Sequence, residues 1–411
     1  MIYRGFKVRF VRNITDIDDK IIKRANELKV SWRDLAKKYI VRYNEDLKLL
    51  GIERADVEPK ATENIPDMIK HIAGLVDKGY AYATQSGVYF SVRKFPDYGK
   101  LSGQSIDQML TGVRVESDES KQDPLDFALW KKSKPGEPSW KSPWGDGRPG
   151  WHIECSVMSQ KFLHTDTLDI HAGGRDLIFP HHENEIAQAE PLTGKPFAKY
   201  WVHHGLLTIN GSKMSKSLGN FITIKDFMHK NKDADILKIF FLGAHYGSPI
   251  DYTEAKILES KEAWERILIL QDKIEKITVR RRFQVVKKKY EALEGIKSQF
   301  LKAMDDDFNT PQGLACLFDL INLANKNIDE FDFILAVKIL MCELKYIFNL
   351  DLSKRLTPRD IDEGIKELIA LRNEERKKGN FKESDRIRAE LEEKGIILED
   401  TKDGTVWRKK L

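Results

Sequence analysis

The chain has 411 residues, of which 41% are hydrophobic and 32% are charged, so a disordered protein is excluded and about two to four domains are expected. The formal net charge of +5 neither indicates nor excludes a nucleic-acid partner, because the clustering of charge decides that question. Three cysteines favour a reducing compartment over a disulfide framework. Without a membrane-length apolar run or a signal peptide, the sequence predicts a cytoplasmic protein.

The first 60 residues have the pattern of a strand followed by helices. Residues 6–14 alternate apolar and polar side chains, which predicts a strand, and residues 15–20 supply the Thr and Asp residues that start helices. A second helix is predicted from Trp32 to Leu50, ending at Gly51. A strand that leads into a helix is the unit of a parallel α/β sheet, so the sequence predicts an α/β fold.

The middle of the chain carries an apparent insertion and a loop rich in tryptophan. Residues 65–78 predict a helix that ends at Gly79, and residues 80–92 predict a hairpin. Between Trp130 and Trp151, prolines and glycines interrupt the chain so often that we expect an ordered loop without regular elements. Beyond residue 220 the pattern is almost wholly helical, and Asp403-Gly404 predicts a final hairpin turn.

Three residues could hold a metal ion. His181 and Glu185 are four residues apart after Pro180, so they share one face of a predicted helix, and Cys155 offers a thiolate from another element. A Cys, a His and a carboxylate with one position left open are typical of a catalytic zinc site. His171, His182 and Glu183 lie nearby as competing ligands. The spacing alone also leaves an equal alternative, an ordinary capped helix beside a buried core thiol.

Two further segments could bind a nucleotide. Residues 213–217 read Lys-Met-Ser-Lys-Ser between Gly211 and Gly219, and two lysines on such a loop can close over a triphosphate. A solvated charge run is the alternative. Residues 171–176 contain adjacent glycines that permit close backbone contact with a ligand, followed by an acid that can bond a ribose hydroxyl; a simple turn is the alternative.

These motifs, together with Trp-His-Ile-Glu-Cys at 151–155, resemble cysteinyl-tRNA synthetases, a class I aminoacyl-tRNA synthetase family, over essentially the whole chain. The resemblance implies that Cys155, His181 and Glu185 bind one zinc ion, together with a further N-terminal Cys, and that the zinc takes the thiolate of the substrate cysteine. Zinc prefers soft sulfur, so serine would be a poor ligand and would be rejected without editing.

The resemblance also implies the remaining site residues. Lys213 and Lys216 would be the catalytic lysines and would bind ATP, which is used with magnesium. Three further residues would bind the adenosine of ATP, and two would line the pocket for the substrate cysteine. The ATP-binding residues are Gly173, Gly174 and Asp176, and the cysteine-binding residues are Thr15 and Trp151.

The implied fold is a Rossmann-type nucleotide-binding domain, N-terminally incomplete, with an insertion and a mainly helical C-terminal region. The family's HIGH-type motif and its N-terminal zinc Cys do not occur in this sequence. We expect five segments: 1–60, the remainder of the first Rossmann half; 61–125, the connective insertion; 126–225, the second half with the zinc ligands and the lysine loop; 226–300, a helical tRNA-stem region; 301–411, the anticodon-binding domain.

The expected reaction is activation of cysteine with ATP and its transfer to tRNA-Cys by a cytoplasmic monomer. Two alternatives remain. A mycothiol-type cysteine ligase would activate cysteine for an amino-sugar, but it lacks a full anticodon domain, which residues 280–407 supply. An inactive or truncated tRNA-binding paralogue would explain the missing HIGH motif. Basic residues at 280–282, 287–289 and 372–388 are the candidate contacts to tRNA phosphates.

Overall fold

A computed structural model describes residues 1–112, 120–215, 218–279, 289–353, 362–401 and 404–409 of the chain. The chain divides into two units. The first comprises Met1–Leu206 with Gly247–Pro249, and the second comprises Leu207–Tyr246 with Ile250–Leu411. Among the described residues, no helix combines the length and apolar character that crossing a membrane requires.

The first unit mixes helices with short strands. Its helices are α1 (Asp19–Leu28), α2 (Trp32–Leu49), α3 (Ile65–Asp77), α4 (Ile106–Gly112), α5 (Trp151–Leu163) and α6 (Glu183–Thr193). Its strands are β1 (Ala81–Ala83), β2 (Gly87–Phe90), β3 (Phe127–Lys132), β4 (Gly147–Pro149), β5 (Leu168–Gly174) and β6 (Ala198–His204). A π-helical turn, Ile178–His182, leads directly into α6.

Two sheets organise this unit. Strands β1 to β4 form an antiparallel sheet in sequence order, and β5 pairs with β6 in parallel. One hydrophobic core joins them, because Trp130 of β3, Ile153 of α5 and Ile186 of α6 belong to a single buried cluster. The helices α5 and α6, which carry the candidate metal ligands, are therefore fixed on both sides by packed apolar side chains.

The strand predicted at residues 6–14 is wrong over its first half. The segment is extended, but parallel pairing with residues 57–61 is confined to residues 10–14, where the N–H groups of Arg12 and Ile14 donate to the carbonyls of Val57 at 3.0 Å and Pro59 at 2.8 Å. Alternation predicts a strand only where a neighbouring backbone is available along its whole length, and here Phe6 and Val8 are exposed. The helix that follows is confirmed: α1 begins after Asp18, whose side chain accepts a hydrogen bond from the backbone N–H of Lys20 at 2.8 Å.

The predictions for residues 65–151 are confirmed in part. Helix α3 ends two residues before Gly79, which has the positive φ of 78° that favours glycine, and β1 and β2 form the predicted hairpin. The expectation of a loop without regular elements from 130 to 151 is wrong at its ends. The tryptophan-rich segment leaves strand β3 and returns as β4, which pairs with it, so prolines and glycines punctuate only the connection.

The second unit is mainly helical, as expected from the sequence beyond residue 220. Its helices are α7 (Ile224–Asn231), α8 (Ala234–Leu242), α9 (Glu254–Val279), α10 (Glu291–Asp305), α11 (Thr310–Lys326), α12 (Phe331–Phe348), α13 (Glu363–Lys377) and α14 (Phe381–Glu393). Its strands are β7 (Leu207–Ile209), β8 (Ser212–Lys213), β9 (Ile250–Tyr252), β10 (Ile396–Thr401) and β11 (Gly404–Lys409). Strand β7 lies between β8 and β9.

The last described residues, 362–409, form a small C-terminal module of two helices and a hairpin. Ile369, Ile387 and Leu398 contribute to its core, against which Trp407 packs. The predicted hairpin is confirmed, since β10 and β11 pair antiparallel from Ile396 to Lys409, while Asp403 lies outside the described residues. Of the predicted basic segment at 280–289, only Lys289 is described.

An ion pair holds the helices of this module to its hairpin. The Arg372 side chain has no exposed surface and donates to both carboxylate oxygens of Asp400, at 2.6 and 2.8 Å. Arg376 also donates to Asp400, at 2.6 Å. These hydrogen bonds, chiefly the one from Arg372, hold the pKa of Asp400 well below its usual range.

Replacing Asp400 with Asn should loosen the module, because Arg372 would keep its burial and lose its charged partner. Removing one partner of a fully buried pair costs about 3–5 kcal/mol, and we expect about 2 kcal/mol here because Asp400 is partly exposed. Hydrogen exchange at the β10 amides measures the loss as faster local opening. The control is Glu383→Gln, which breaks the exposed Glu383–Arg386 pair and should leave the exchange rates unchanged.

The same pair predicts a pH dependence. Because the pKa of Asp400 is lowered in the folded module, its stabilisation is complete above the unfolded value of about 4 and is lost as the pH falls from there toward the folded pKa. Wild-type protein should therefore exceed Asp400→Asn in stability by a constant amount between about pH 6 and 8. An advantage that increased below pH 4 would contradict this sign.

Candidate functional site

The three predicted metal ligands meet in the first unit. Cys155 lies on α5, His181 lies on the π-helical turn and Glu185 lies in the first turn of α6. One ligand atom from each, the thiol sulfur, an imidazole nitrogen and a carboxylate oxygen, lie within 4.8 Å of one another. Tertiary packing thus brings together a Cys, a His and a carboxylate that are separated by up to 30 residues in sequence.

The Glu185 carboxylate has no solvent-exposed surface. His181 Nε2 lies 2.9 Å from its Oε1 atom, and His171 Nε2 lies 3.1 Å from its Oε2 atom. Burial alone would raise the pKa of Glu185, but the two imidazoles outweigh it and keep that pKa well below its usual range. Neither oxygen accepts a hydrogen bond of good geometry. Both oxygens would therefore be available as ligands to a cation bound here.

Cys155 is a protonated thiol in these surroundings, because burial, reinforced by the charges of Glu185 and Glu154, raises its pKa well above the usual range. A divalent cation inverts this preference and binds the thiolate. The residues present therefore fit a zinc ion: sulfur, imidazole and carboxylate are its usual protein ligands. The other sequence interpretation, a core thiol beside a capped helix, does not explain the unsatisfied oxygens of Glu185.

More histidines surround this group than the sequence reasoning identified. A second compact set of ligand atoms comes from His171, His182 and Glu185. His182 Nδ1 lies 2.9 Å from His203 Nε2, and His152 Nδ1 lies 2.8 Å from His181 Nδ1. Burial lowers the pKa of His182 and of His152 to about 3, so both rings are neutral near pH 7.

Among these, His152 and His203 were missed. A sequence signal did exist, since seven of the ten histidines in the chain lie between residues 152 and 204. Such a density is unusual for a hydrophobic core. It indicates a buried polar region in which the imidazole nitrogens need hydrogen-bond partners. The spacing of these histidines follows no helical or strand period, because they come from α5, β5, β6 and the turn before α6.

The two predicted cysteine-pocket residues lie beside the metal group. Thr15 Oγ1 donates a 2.9 Å hydrogen bond to Glu154 Oε2 on α5, next to Cys155. The Trp151 ring lies 4.2 Å from the His181 ring and is 44% exposed, so it forms an accessible wall. Burial raises the pKa of Glu154 well above its usual range, and the sequence reasoning gave this residue of the 151–155 motif no role of its own.

The predicted adenosine segment lies at the end of β5. A Cβ on Gly173 would lie 2.7 Å from His182 Cε1, and one on Gly174 would lie 2.4 Å from Asp176 Oδ1. Close packing therefore requires glycine at 173, where the neighbour is the buried His182 ring, whereas the neighbour of Gly174 is the exposed Asp176 side chain, which can move away. Asp176 is exposed and follows them in a short 3-10 turn, so its carboxylate is accessible to a ligand.

The lysine loop belongs to the second unit. Lys213 ends β8 and is exposed, while Lys216 lies outside the described residues. The turn before it is fixed by Asp251, whose Oδ1 accepts hydrogen bonds from Thr208 Oγ1 at 2.6 Å and from the N–H of Gly211 at 2.8 Å. The lysine side chain therefore extends from an anchored hairpin.

Family comparisons cover most of the chain. Residues 1–262 match the model described as the tRNA synthetases class I (C) catalytic domain. Residues 299–352 match the DALR domain, and residues 359–408 match the Cysteinyl-tRNA ligase anticodon binding domain. The catalytic match includes every described candidate site residue, and the anticodon match includes the pair Arg372–Asp400.

Individual relatives agree with these matches. The cysteine–tRNA ligase of Thermodesulfovibrio yellowstonii is 50% identical over 434 residues, which cover 100% of this chain and 89% of the relative. That of Aquifex aeolicus is 46% identical over 441 residues, covering 99% and 88%. Mycobacterium tuberculosis methionyl-tRNA synthetase in complex with methionyl-adenylate has the same fold, with a TM-score of 0.60 at 15% identity, covering 84% of this chain and 83% of that one.

The predicted fold class is confirmed, because a class I catalytic domain is followed by a mainly helical region. The catalytic model matches more than half of the chain, and two relatives near 50% identity cover it almost completely. The chain therefore belongs to the cysteinyl-tRNA synthetase family, the cysteine–tRNA ligases.

Proposed function

We propose that this chain joins cysteine to tRNA-Cys in two steps: ATP and cysteine form cysteinyl-adenylate and pyrophosphate, and the cysteinyl group then passes to the terminal adenosine of the tRNA. The observation that carries the proposal is the Cys155, His181 and Glu185 group, located within the matched catalytic domain. We propose a cytoplasmic monomer as its working form.

The metal-ligand group supports cysteine as the amino acid. Cys155, His181 and Glu185 would hold one zinc ion, which supplies a soft Lewis acid that binds a thiolate far better than a hydroxyl. The exposed face of Trp151 would cover the substrate side chain, and Thr15, held by Glu154, would orient the substrate. Neutral His152 and His182 leave Glu185 as the nearby negative charge that a cation would neutralise.

The remaining residues would handle ATP with magnesium. Gly173 and Gly174 would let the backbone approach the adenosine, and Asp176 would hydrogen-bond the ribose. Lys213 and Lys216 would close over the phosphates and stabilise the charge that develops on the α-phosphate and on the leaving pyrophosphate. Such chemistry depends on positioning and charge stabilisation, so no side-chain nucleophile is required.

The C-terminal region supports tRNA over an amino-sugar as the acceptor. We propose that residues 226–300 contact the tRNA stem and that 301–411 read the anticodon, while 1–60, 61–125 and 126–225 form the two catalytic halves and the insertion between them. The Trp407 side chain packs into the module core, so the better candidate for stacking on a base is Phe381, which is 64% exposed at the start of α14.

Removing the thiol should remove the metal. We expect about one zinc per purified wild-type chain and a large loss in Cys155→Ser, because a hydroxyl is a poor zinc ligand and the remaining pair binds weakly. Elemental analysis gives the metal content. Cys342→Ser, which changes an exposed cysteine on α12, is the matched control and should keep the wild-type content. Equal zinc in the wild type and in Cys155→Ser would contradict the site.

Neutralising the lysine loop should slow activation of cysteine. Lys213→Ala should reduce cysteine-dependent exchange of pyrophosphate into ATP by about 10²–10³-fold, the usual cost of one lost charge-stabilising group. Lys230→Ala removes another exposed lysine of the second unit, paired with Glu254, and should leave the rate unchanged. Equal rates in both variants would remove Lys213 from the reaction, and absence of exchange in every protein would argue against the activity itself.

An anticodon contact at Phe381 has a separate signature. Phe381→Ala should weaken binding of tRNA-Cys by about 1–3 kcal/mol, the value of one aromatic stack on a base, and should have less effect on a tRNA with an exchanged anticodon. Leu371→Ala, at another exposed apolar position of the module, should bind like the wild type. Filter binding at several salt concentrations measures the affinity of each variant for both tRNAs. If Phe381→Ala loses the same affinity for the two tRNAs, Phe381 has no role in reading the anticodon.

A further inference from the structure

A loop at residues 98–102 contacts the start of α6 directly behind the metal-ligand group. Glu183, the first residue of α6, has no exposed surface, and its carboxylate accepts three hydrogen bonds from backbone N–H groups of this loop. Oε1 accepts from Gly99 at 2.9 Å, and Oε2 accepts from Leu101 at 3.2 Å and from Ser102 at 2.9 Å. Its hydrogen-bond partners are therefore residues of the loop and not the candidate metal ligands.

Tyr98 makes two further contacts from the same loop. Its hydroxyl donates a 2.6 Å hydrogen bond to Asn184 Oδ1, and its ring packs edge-on against Phe179, with centroids 6.5 Å apart. Phe179, Glu183 and Asn184 alternate along the chain with the ligands His181 and Glu185. The loop therefore holds the chain on both sides of His181 and immediately before Glu185.

The geometry of the helix places these contacts behind the ligands. At about 100° of rotation per residue, Glu183 is about 200° around the α6 axis from Glu185, so their side chains point to opposite sides of the helix. The 2.9 Å distance from His181 Nε2 to Glu185 Oε1 confirms that those two side chains lie together. The loop thus supports the side of the helix that faces away from the metal-ligand group.

The loop itself has little freedom to adjust. The N–H of Gly103 donates to the carbonyl of Gly99 at 2.8 Å, which closes the loop on itself. Gly99 has a φ of 102°, and a Cβ there would lie 2.1 Å from the Gln104 carbonyl oxygen. A closed loop with aligned N–H groups is a rigid partner for a carboxylate, and it cannot readily turn to accept a different side chain.

We propose that Glu183 is a positioning residue for the metal site: by binding the backbone of residues 99–102, it fixes the rotation and position of α6, so that His181 and Glu185 face one ion together with Cys155. The inference rests on the proposed zinc site. It assigns to the connective insertion a part in metal binding, although none of its residues is a ligand.

The test is the zinc affinity of Glu183→Gln in the full chain, measured by competition with a chelator. Glutamine keeps the size of the side chain but offers one acceptor oxygen, and its NH₂ group would face a backbone N–H. We expect zinc to bind about 10–100-fold more weakly, the usual effect of losing an outer partner of a metal site. Tyr98→Phe, which removes only the hydroxyl bound to Asn184, should weaken binding by less.

The matched control is Glu190→Gln. Glu190 lies two turns further along α6 and pairs with Lys100 of the same loop, away from the ligands, so zinc affinity should stay within about twofold of the wild type. Thermal unfolding of the metal-free proteins separates loss of positioning from loss of folding. If Glu183→Gln does not fold, the zinc affinity of Tyr98→Phe is the deciding measurement: weaker binding than the wild type supports the proposal, and unchanged binding contradicts it.

The charge-transfer absorption of the cobalt-substituted protein gives a second readout. Its Cys155-to-cobalt band should shift or weaken in Glu183→Gln and remain unchanged in Glu190→Gln. Wild-type affinity and an unchanged cobalt spectrum in Glu183→Gln, with a lowered unfolding temperature, would overturn the proposal and leave Glu183 a purely structural residue. A wild-type chain that binds no zinc would instead overturn the metal site and, with it, this positioning role.

Discussion

Burying the Glu185 carboxylate without a compensating partner would cost several kcal/mol of stability, so the residues packed around it must supply compensating groups. Two imidazoles lie within 3.1 Å of its oxygens, and both belong to elements that the apolar core fixes in place. Since neither contact is a well-formed hydrogen bond, the charge is only partly compensated by protein groups. Under the proposed function, a divalent cation would complete the set and would offset the repulsion between a Cys155 thiolate and Glu185.

Buried histidines also contact one another in the interior around Glu185. His152 and His182 each use one nitrogen for a neighbouring ring, His171 uses one for Glu185, and His181 uses both, one for His152 and one for Glu185. Gly173 permits this arrangement, because any larger residue would displace His182. Gly173 therefore has a packing function that is independent of the nucleotide binding proposed for it.

The two carboxylates at the start of α6 have different environments and different functions. Glu183 is satisfied entirely by backbone N–H groups of one loop, whereas Glu185 is left with oxygens available to an ion. In the second unit, Asp400 is satisfied by arginines instead, which suits a module that must hold two helices against a hairpin. For each of these three carboxylates, the hydrogen-bond partners determine whether its oxygens are already satisfied or remain available to a ligand.

The sequence by itself determined most helices and the hairpins, because periodicity, caps and short motifs act over a few residues. It predicted that His181 and Glu185 lie together, and its resemblance to one family placed Cys155 with them; the structure brings ligand atoms of all three within 4.8 Å of one another. Residues 6–14 mark its limit, since their alternation could not reveal that a neighbouring backbone is available only from Phe10 to Ile14. Tertiary structure alone decided which groups surround Glu185, that Glu154 holds Thr15, and that Glu183 binds residues 99–102. The contacts of Glu154 and Glu183 join positions more than 80 residues apart in sequence, and chain folding, not local propensity, sets such distances.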